Sequence, residues 1–174
     1  MYQLDTNVIN ARQKLSSMNL LEKWANDGVI LIDMSEVAQN EASSGSCITR
    51  KYKAQSHIYT STKITTPDEL TMFSKIEKVV FPDGVKNQNE SNDVEIIFNA
   101  WKYGRTLISN DGGSRRQPEG ILGHKNELKR LGINVINDTE AVKEVQMLIQ
   151  NRDNMAQLIS QKTGKSLPVW VGKD

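Results

Sequence analysis

The chain has 174 residues, with 22 Lys plus Arg against 21 Asp plus Glu and a formal charge of +1. That balance excludes a histone-like or polybasic binder, and the length fits one domain, or one domain with an appendage, able to bury roughly 70% of its unfolded surface. The single cysteine, Cys47, excludes an internal disulfide and a cysteine-built zinc site, and favours a reducing, cytoplasmic setting.

The longest aliphatic run, Val29 to Ile32, falls far short of the ~20 residues of a membrane span. Asp5 stands where a signal peptide would need a basic start followed by an apolar stretch, so a soluble, unexported protein with no membrane partner is expected. Near-neutrality hides an uneven distribution: residues 1–41, 42–67, 68–95, 96–130 and 131–174 carry −3, +4, −4, +4 and 0. Alternating acidic and basic segments can bring carboxylates and anion-binding bases together, although solvated faces give the same count.

Met1 to Leu4 reads as a short strand, and Leu15, Met18, Leu21 and Trp24 form the stripe of an amphipathic helix stopped by Asn26-Asp27-Gly28. Val29 to Ile32 reads as a buried parallel strand. Ser35 is an N-cap for a helix with Val37 and Ala38 facing inward, ended by Gly45 near Ser44. The polar, basic stretch 46–66 gives only a weak strand signal at Ile58 to Ile64. Thr66-Pro67-Asp68-Glu69 predicts a capped helix over Glu69 to Lys75 or slightly more.

Pro82 to Asn92 reads as a linker, and Asp93 to Tyr103 as a helix closed by Gly104. Thr106 to Ile108 is the next strand, followed by a polar loop from Asn110 to Gly120. Ile121 to Leu131 is a helix ended by Gly132, and Ile133 to Ile136 a strand. Asp138 or Thr139 then caps a long helix reaching about Thr163, with an inner stripe of Val142, Val145, Ile149, Met155 or Ala156, and Ile159. Strands separated by helices predict an α/β fold, a three-layer α/β/α sandwich around a mainly parallel sheet.

Ligands of such sheets sit beyond the carboxyl ends of the strands, where strand order reverses. Asp5 and Asp111 both stand just past strand ends, so neighbouring strands would bring their carboxylates into one crevice. A third acid can come from the helix after the second strand, and a fourth from the helix near Asp93. Clustered carboxylates raise one another's pKa unless a cation compensates, and Mg²⁺ or Mn²⁺ is the natural partner of hard oxygen donors.

Four pieces in order resemble the PIN-domain ribonucleases: Leu4-Asp5-Thr6-Asn7-Val8, Asn40-Glu41-Ala42-Ser43-Ser44-Gly45, Asn92-Asp93 with Ile96 and Ala100, and Leu107-Ile108-Ser109-Asn110-Asp111. The resemblance covers residues 1–137, taken as the nuclease domain, with 138–174 as a C-terminal helix and tail packed on the same domain. It implies that Asp5, Glu41, Asp93 and Asp111 form an acidic metal-binding and catalytic set. Asn7, Ser109 and Asn110 would then orient ligands or the attacking water.

Each acid also has a structural reading. Asp5 can cap the first helix, Asp111 can make a turn before Gly112-Gly113, and Asp93 can act as a cap with Asn92. Glu36 is the alternative to Glu41, and the two lie about 140° apart on a helix, so they cannot share one site. His57 and His124 are expected at the surface or facing RNA rather than on a metal. After Asp111 the family often carries a further Asp, where this chain has Gly112-Gly113-Ser114-Arg115-Arg116; that departure bears on how many ions bind.

What the resemblance implies is a divalent-metal-dependent endoribonuclease, hydrolysing phosphodiester bonds of single-stranded or structured RNA and leaving a 5′-phosphate and a 3′-hydroxyl. The small stand-alone setting is the VapC-type toxin with a protein antitoxin, and a homodimer is expected. Candidate bases for the RNA are Arg50, Lys51 and Lys53, with Tyr52 for stacking, and Arg115 with Arg116. The alternative is a catalytically weak PIN-fold module that binds RNA or protein. A third reading, a haloacid dehalogenase-type phosphatase, expects a second Asp where Asn7 stands. The tail Leu167 to Val171 lies outside the resemblance and is expected to pack on the core or to form a subunit contact.

Overall fold

The computed structural model describes residues 1–9, 12–113 and 119–174. Five strands form one parallel sheet: β1 (Tyr2–Leu4), β2 (Ile32–Ser35), β3 (Ile58–Thr60), β4 (Thr106–Ile108) and β5 (Val135–Ile136), in the spatial order β3-β2-β1-β4-β5. Leu4 lies beside Met34 on one side and Ile108 on the other, and all three side chains are fully buried. Each contributes about 1.5–3 kcal/mol of apolar burial to the centre of the sheet.

The helices α1 (Ser16–Asn26) and α8 (Asp138–Thr163) pack together on one face. There the Tyr2 hydroxyl of β1 donates to Glu144 of α8 at 3.0 Å. On the other face lie α4 (Pro67–Val80), α5 (Gln88–Lys102), α6 (Gly120–Gly123) and α7 (Lys125–Arg130). Phe73 of α4 meets Phe98 of α5 edge-on, with ring centroids 5.5 Å apart. The short pair α2 (Glu36–Ser44) and α3 (Ile48–Ser56) joins β2 to β3, giving the expected α/β/α layering.

Most element boundaries follow local chemistry. Ser35 caps α2 through its hydroxyl and Gly45 ends it, as expected. Thr66 accepts from the Glu69 amide, but the Glu69 carboxylate turns to the amide of Thr65 at 2.6 Å, so the capping box is displaced by one residue and α4 runs to Val80. The strand expected at Val29 to Ile32 sits three residues later. Val29 and Ile30 donate to the Trp24 carbonyl and complete the end of α1, and Leu31 is 60% exposed. The true β2 instead carries a buried carboxylate, Asp33, held by Arg105 at 2.9 Å.

Helix α5 begins five residues before Asp93, capped by Asn87 on the Glu90 amide, so Asp93 stands in the second turn rather than at a cap. The helix expected over Ile121 to Leu131 is two short pieces, broken after Gly123. The long helix is capped by Asn137, not Asp138 or Thr139, in a reciprocal box with Glu140. Helix α3 was not expected at all. The tail folds back along α8: the Arg152 guanidinium lies 4.4 Å from the Trp170 ring centre and pairs with Asp174 at 2.6 Å. Among the described residues no helix is long and apolar enough to cross a membrane.

Candidate functional site

Strand order reverses between β1 and β4, because the chain leaves β1 toward β2 on one side and returns to β4 on the other. The two loops at this switch point are joined directly. The Asp5 amide donates to the Ile108 carbonyl at 3.0 Å, and the Ser109 hydroxyl donates to Asp5 Oδ2 at 2.6 Å. Asn7 closes the link: its side-chain amide donates to Asp5 Oδ2 at 2.6 Å and to Ser109 Oγ at 3.1 Å, while its carbonyl accepts from the Asn110 amide at 2.9 Å.

Asp5 is therefore a cap as well as a candidate site residue. Its Oδ1 accepts from Thr6 N at 2.6 Å and starts a 3₁₀ turn over Thr6–Val8, not the first α-helix. At 4% exposure it would be a costly buried anion without these donors. Glu41, on the second turn of α2, is brought in by the Thr6 hydroxyl, which donates to Glu41 Oε2 at 2.7 Å. Glu36 lies in the first turn of that helix and takes no part. Asp111 is held from both sides, Oδ1 accepting from Gly113 N at 3.3 Å and Oδ2 from Ile121 N at 3.0 Å. A Cβ on Gly120 would meet Asp111 Oδ2 at 2.7 Å and Gly113 N at 2.5 Å, and the Gly120 φ of +56° also suits only glycine well.

The four acids feel one another. Burial pushes the Asp5 carboxyl up to about 6, opposed by the Ser109 and Thr6 hydrogen bonds and reinforced by the charges of Glu41 and Asp111. Asp93, projecting from α5, is pushed up to about 8, first by burial and then by the charges of Asp5, Asp111 and Glu41. No hydrogen bond or ion pair among the described residues reaches the Asp93 carboxylate. These are all-oxygen donors in a partly buried crevice, with no ion-paired base among the described residues to compensate their charge, which is the chemistry a hard divalent cation suits.

Among the described residues no three His, Cys, Asp or Glu side chains already stand as a ligand cluster. Glu41 and Asp111 are committed to the hydrogen bonds above. Mg²⁺ in particular keeps several waters and takes one or two carboxylates directly, so the donor set fits such an ion without a closed cage.

The basic residues separate. The Arg50 guanidinium reaches the site, donating to the Thr6 carbonyl at 2.7 Å. Lys51 and Tyr52 point outward, Tyr52 at 71% exposure. Lys53 is paired with Glu22 of α1 at 2.6 Å. Arg115 and Arg116 lie outside the described residues. The two histidines, expected at the surface or facing RNA rather than on a metal, are each partly buried: burial lowers the pKa of His57, and His124 stands 3.8 Å from Glu119. Thr6 is the site residue that sequence reasoning passed over, although it stands inside the Asp5-Thr6-Asn7 motif.

Compared by sequence, the chain matches no family model and no curated protein. Compared by structure, it is similar to a chain of VapBC2 from Rickettsia felis, solved bound to a DNA fragment from their promoter. The identity is 19%, 78% of this chain and 97% of that chain are covered, and the TM-score is 0.50. The fold is PIN-like. Other similar chains include one from VapBC-1 of nontypeable Haemophilus influenzae (16% identity, 79% and 98% covered, TM-score 0.48) and one from FitAB bound to an IR36 DNA fragment (15%, 79% and 95%, 0.47). In this PIN-like chain the four acids lie at the sheet's switch point, the place general to α/β folds for a ligand.

Proposed function

We propose that the chain is a divalent-metal-dependent endoribonuclease acting on single-stranded RNA, with Asp5, Glu41, Asp93 and Asp111 as its acidic set. The observation that carries this is the linkage of Asp5, Glu41 and the Asp111 loop at the switch point through Thr6, Asn7 and Ser109, with Asp93 near enough that burial first, and then the charges of Asp5, Asp111 and Glu41, push its carboxyl up to about 8. Mg²⁺ or Mn²⁺, when bound, lowers the pKa of a water and offsets charge on the attacked phosphate. Asp5 and Asp93 are the ligand candidates nearest to the buried floor. Ser109 and Asn7 fix the Asp5 carboxylate, and Thr6 fixes Glu41, so these candidate ligands are oriented by hydrogen bonds from their neighbours. Asn110 presents its amide to Asn7 and its side chain to the Asp138 amide at 3.2 Å, bracing the loop that carries Asp111.

Residues 1–137 form the nuclease unit in this reading, and 138–174 an appended helix and tail. RNA approaches over Arg50, Lys51 and Tyr52, and Arg115 and Arg116, close after Asp111 in the sequence, are further candidate bases; Lys53 braces α3 against α1 instead. A toxin role with a protein partner is supported by the solved VapBC2 complex that shares the fold, and a homodimer is part of the same proposal. The engagement of both Asp111 oxygens by backbone amides favours a second reading, a PIN-fold binding module with weak catalysis.

End-labelled single-stranded RNA incubated with Mn²⁺ or with EDTA separates the two. The nuclease reading expects cleavage with Mn²⁺ only, lost in Asp5→Asn. Equal, residual cleavage by wild type and variant would leave the binding module standing.

A further inference from the structure

Beside the acidic crevice lies a second concavity of about 270 Å³, which shares Asn7 with it and is otherwise lined by Arg12, Lys14, Cys47 and Arg50 among others. The three bases arrive from different places. Arg50 comes from α3 and spends one guanidinium N–H on the Thr6 carbonyl, leaving the rest of its donors available. Arg12 and Lys14 come from the loop before α1, are exposed, and have no ion-pair partner among the described residues.

The loop backbone explains how both reach the same pocket. Gln13 between them has a φ of +53°, the left-handed conformation that costs a non-glycine residue about 1–2 kcal/mol. Gln13 lines the neighbouring depression, beside Glu22 and Lys53, while Arg12 and Lys14 both line this one. The Asn19 side chain holds the turn by donating to the Gln13 carbonyl at 3.1 Å. A strained turn that sets two unpaired cations beside a third, one residue away from an acidic crevice, is a built anion site. The thiol of Cys47 reports the same field: its pKa is lowered by hydrogen bonds from Thr49 and the Arg50 amide, and also by the Arg12 charge.

We infer that Arg12, Lys14 and Arg50 form a phosphate pocket that seats a backbone phosphate of the single-stranded RNA next to the scissile one. The inference rests on the nuclease reading above and adds to it where the strand runs. The pocket opens along Asn7, whose side chain also touches Asp5, so a chain with one phosphate here places a neighbouring phosphate over the acids. Phosphate contacts of this kind fix register without reading sequence. An acidic protein segment is the competing occupant, and it would leave RNA binding indifferent to these bases.

The test uses the whole chain in EDTA, so that nothing is cleaved, with a fluorescent single-stranded 12-mer RNA. Arg12→Ala/Lys14→Ala should weaken binding about tenfold or more, and should reduce the slope of log K against log salt by up to about 0.7, the share of the one phosphate seated in the pocket. Because Cys47 is the sole cysteine, its alkylation rate reports directly on the pocket. Saturating RNA should slow alkylation several-fold in wild type, and the protection ratio should fall toward one in the double variant. RNA that binds by anisotropy yet leaves Cys47 equally reactive overturns the pocket while sparing the nuclease reading. RNA that does not bind wild type at all overturns both.

Discussion

In the metal-free protein Asp93 should act against folding, and replacing it should stabilise the chain while abolishing activity. Its carboxyl rises from 3.8 to about 8 in the fold. At about 1.36 kcal/mol per unit this corresponds to roughly 6 kcal/mol, an upper bound because the group is only partly buried and solvent screens the neighbouring charges. An expected gain of about 2–4 kcal/mol for Asp93→Asn is reasonable at pH 8. The sign follows from linkage: the folded state holds the proton more tightly than the unfolded chain, so the penalty is absent below pH 4 and grows until the pH passes about 8.

Thermal unfolding in EDTA at pH 4 and pH 8 is the assay. Asn in place of Asp should leave Tm nearly unchanged at pH 4 and raise it by about 4–16 °C at pH 8, using the 2–4 °C per kcal/mol of a chain this size. Adding Mn²⁺ at pH 8 should reverse the order, stabilising wild type and not the variant. An equal Tm change at both pH values, or a lower Tm for the variant at pH 8, would refute the electrostatic account of Asp93.

Two other perturbations test how the site is held. Gly120→Ala should cost about 1–3 kcal/mol and most of the activity, because its Cβ would strike the Asp111 carboxylate and the Gly113 amide. Gly132→Ala, also at positive φ but with nothing within 4 Å, should cost about 1 kcal/mol and leave activity unchanged, as read by urea unfolding and RNA cleavage. Arg105→Leu should cost about 3–5 kcal/mol by stranding the buried Asp33 carboxylate, a loss that grows as pH rises above 4, measurable by urea unfolding at pH 4 and 7.

Much of the site was legible because its acids stand beside strong local signals. Asp5 and Asp111 follow short apolar runs and precede small polar residues, and the pairing of β1 with β4 then brings them together. Helix geometry keeps Glu41 and Glu36 from sharing a site, the Glu-Ala-x-x-Gly context favours Glu41, and it is Glu41 that the Thr6 hydroxyl meets. The misses have local causes. Helix α3 buries only Ala54, so it offers no apolar stripe to read. Val29 to Leu31 look like a strand but are drawn into the end of α1, while the true β2 carries a polar Asp33 whose partner, Arg105, is 72 residues away. The start of α5 lies in an Asn- and Glu-rich segment whose helix signal is the cap at Asn87, with no apolar residue before Val94. Arg12 and Lys14 could not be read as a pair, since their common direction depends on the backbone of Gln13 and on the placement of α3.

The central claim, that the four acids are a divalent-cation site, is tested most directly by calorimetric titration of Mn²⁺ at pH 7 in buffers of different ionisation enthalpy. A carboxyl with a pKa of about 8 is mostly protonated at that pH, so loading the site must expel its proton. The account predicts binding with release of about one proton per site filled, no such release in Asp93→Asn, and loss of binding in Asp5→Asn. No Mn²⁺ binding, or binding of equal strength and equal proton release in all three proteins, would contradict it.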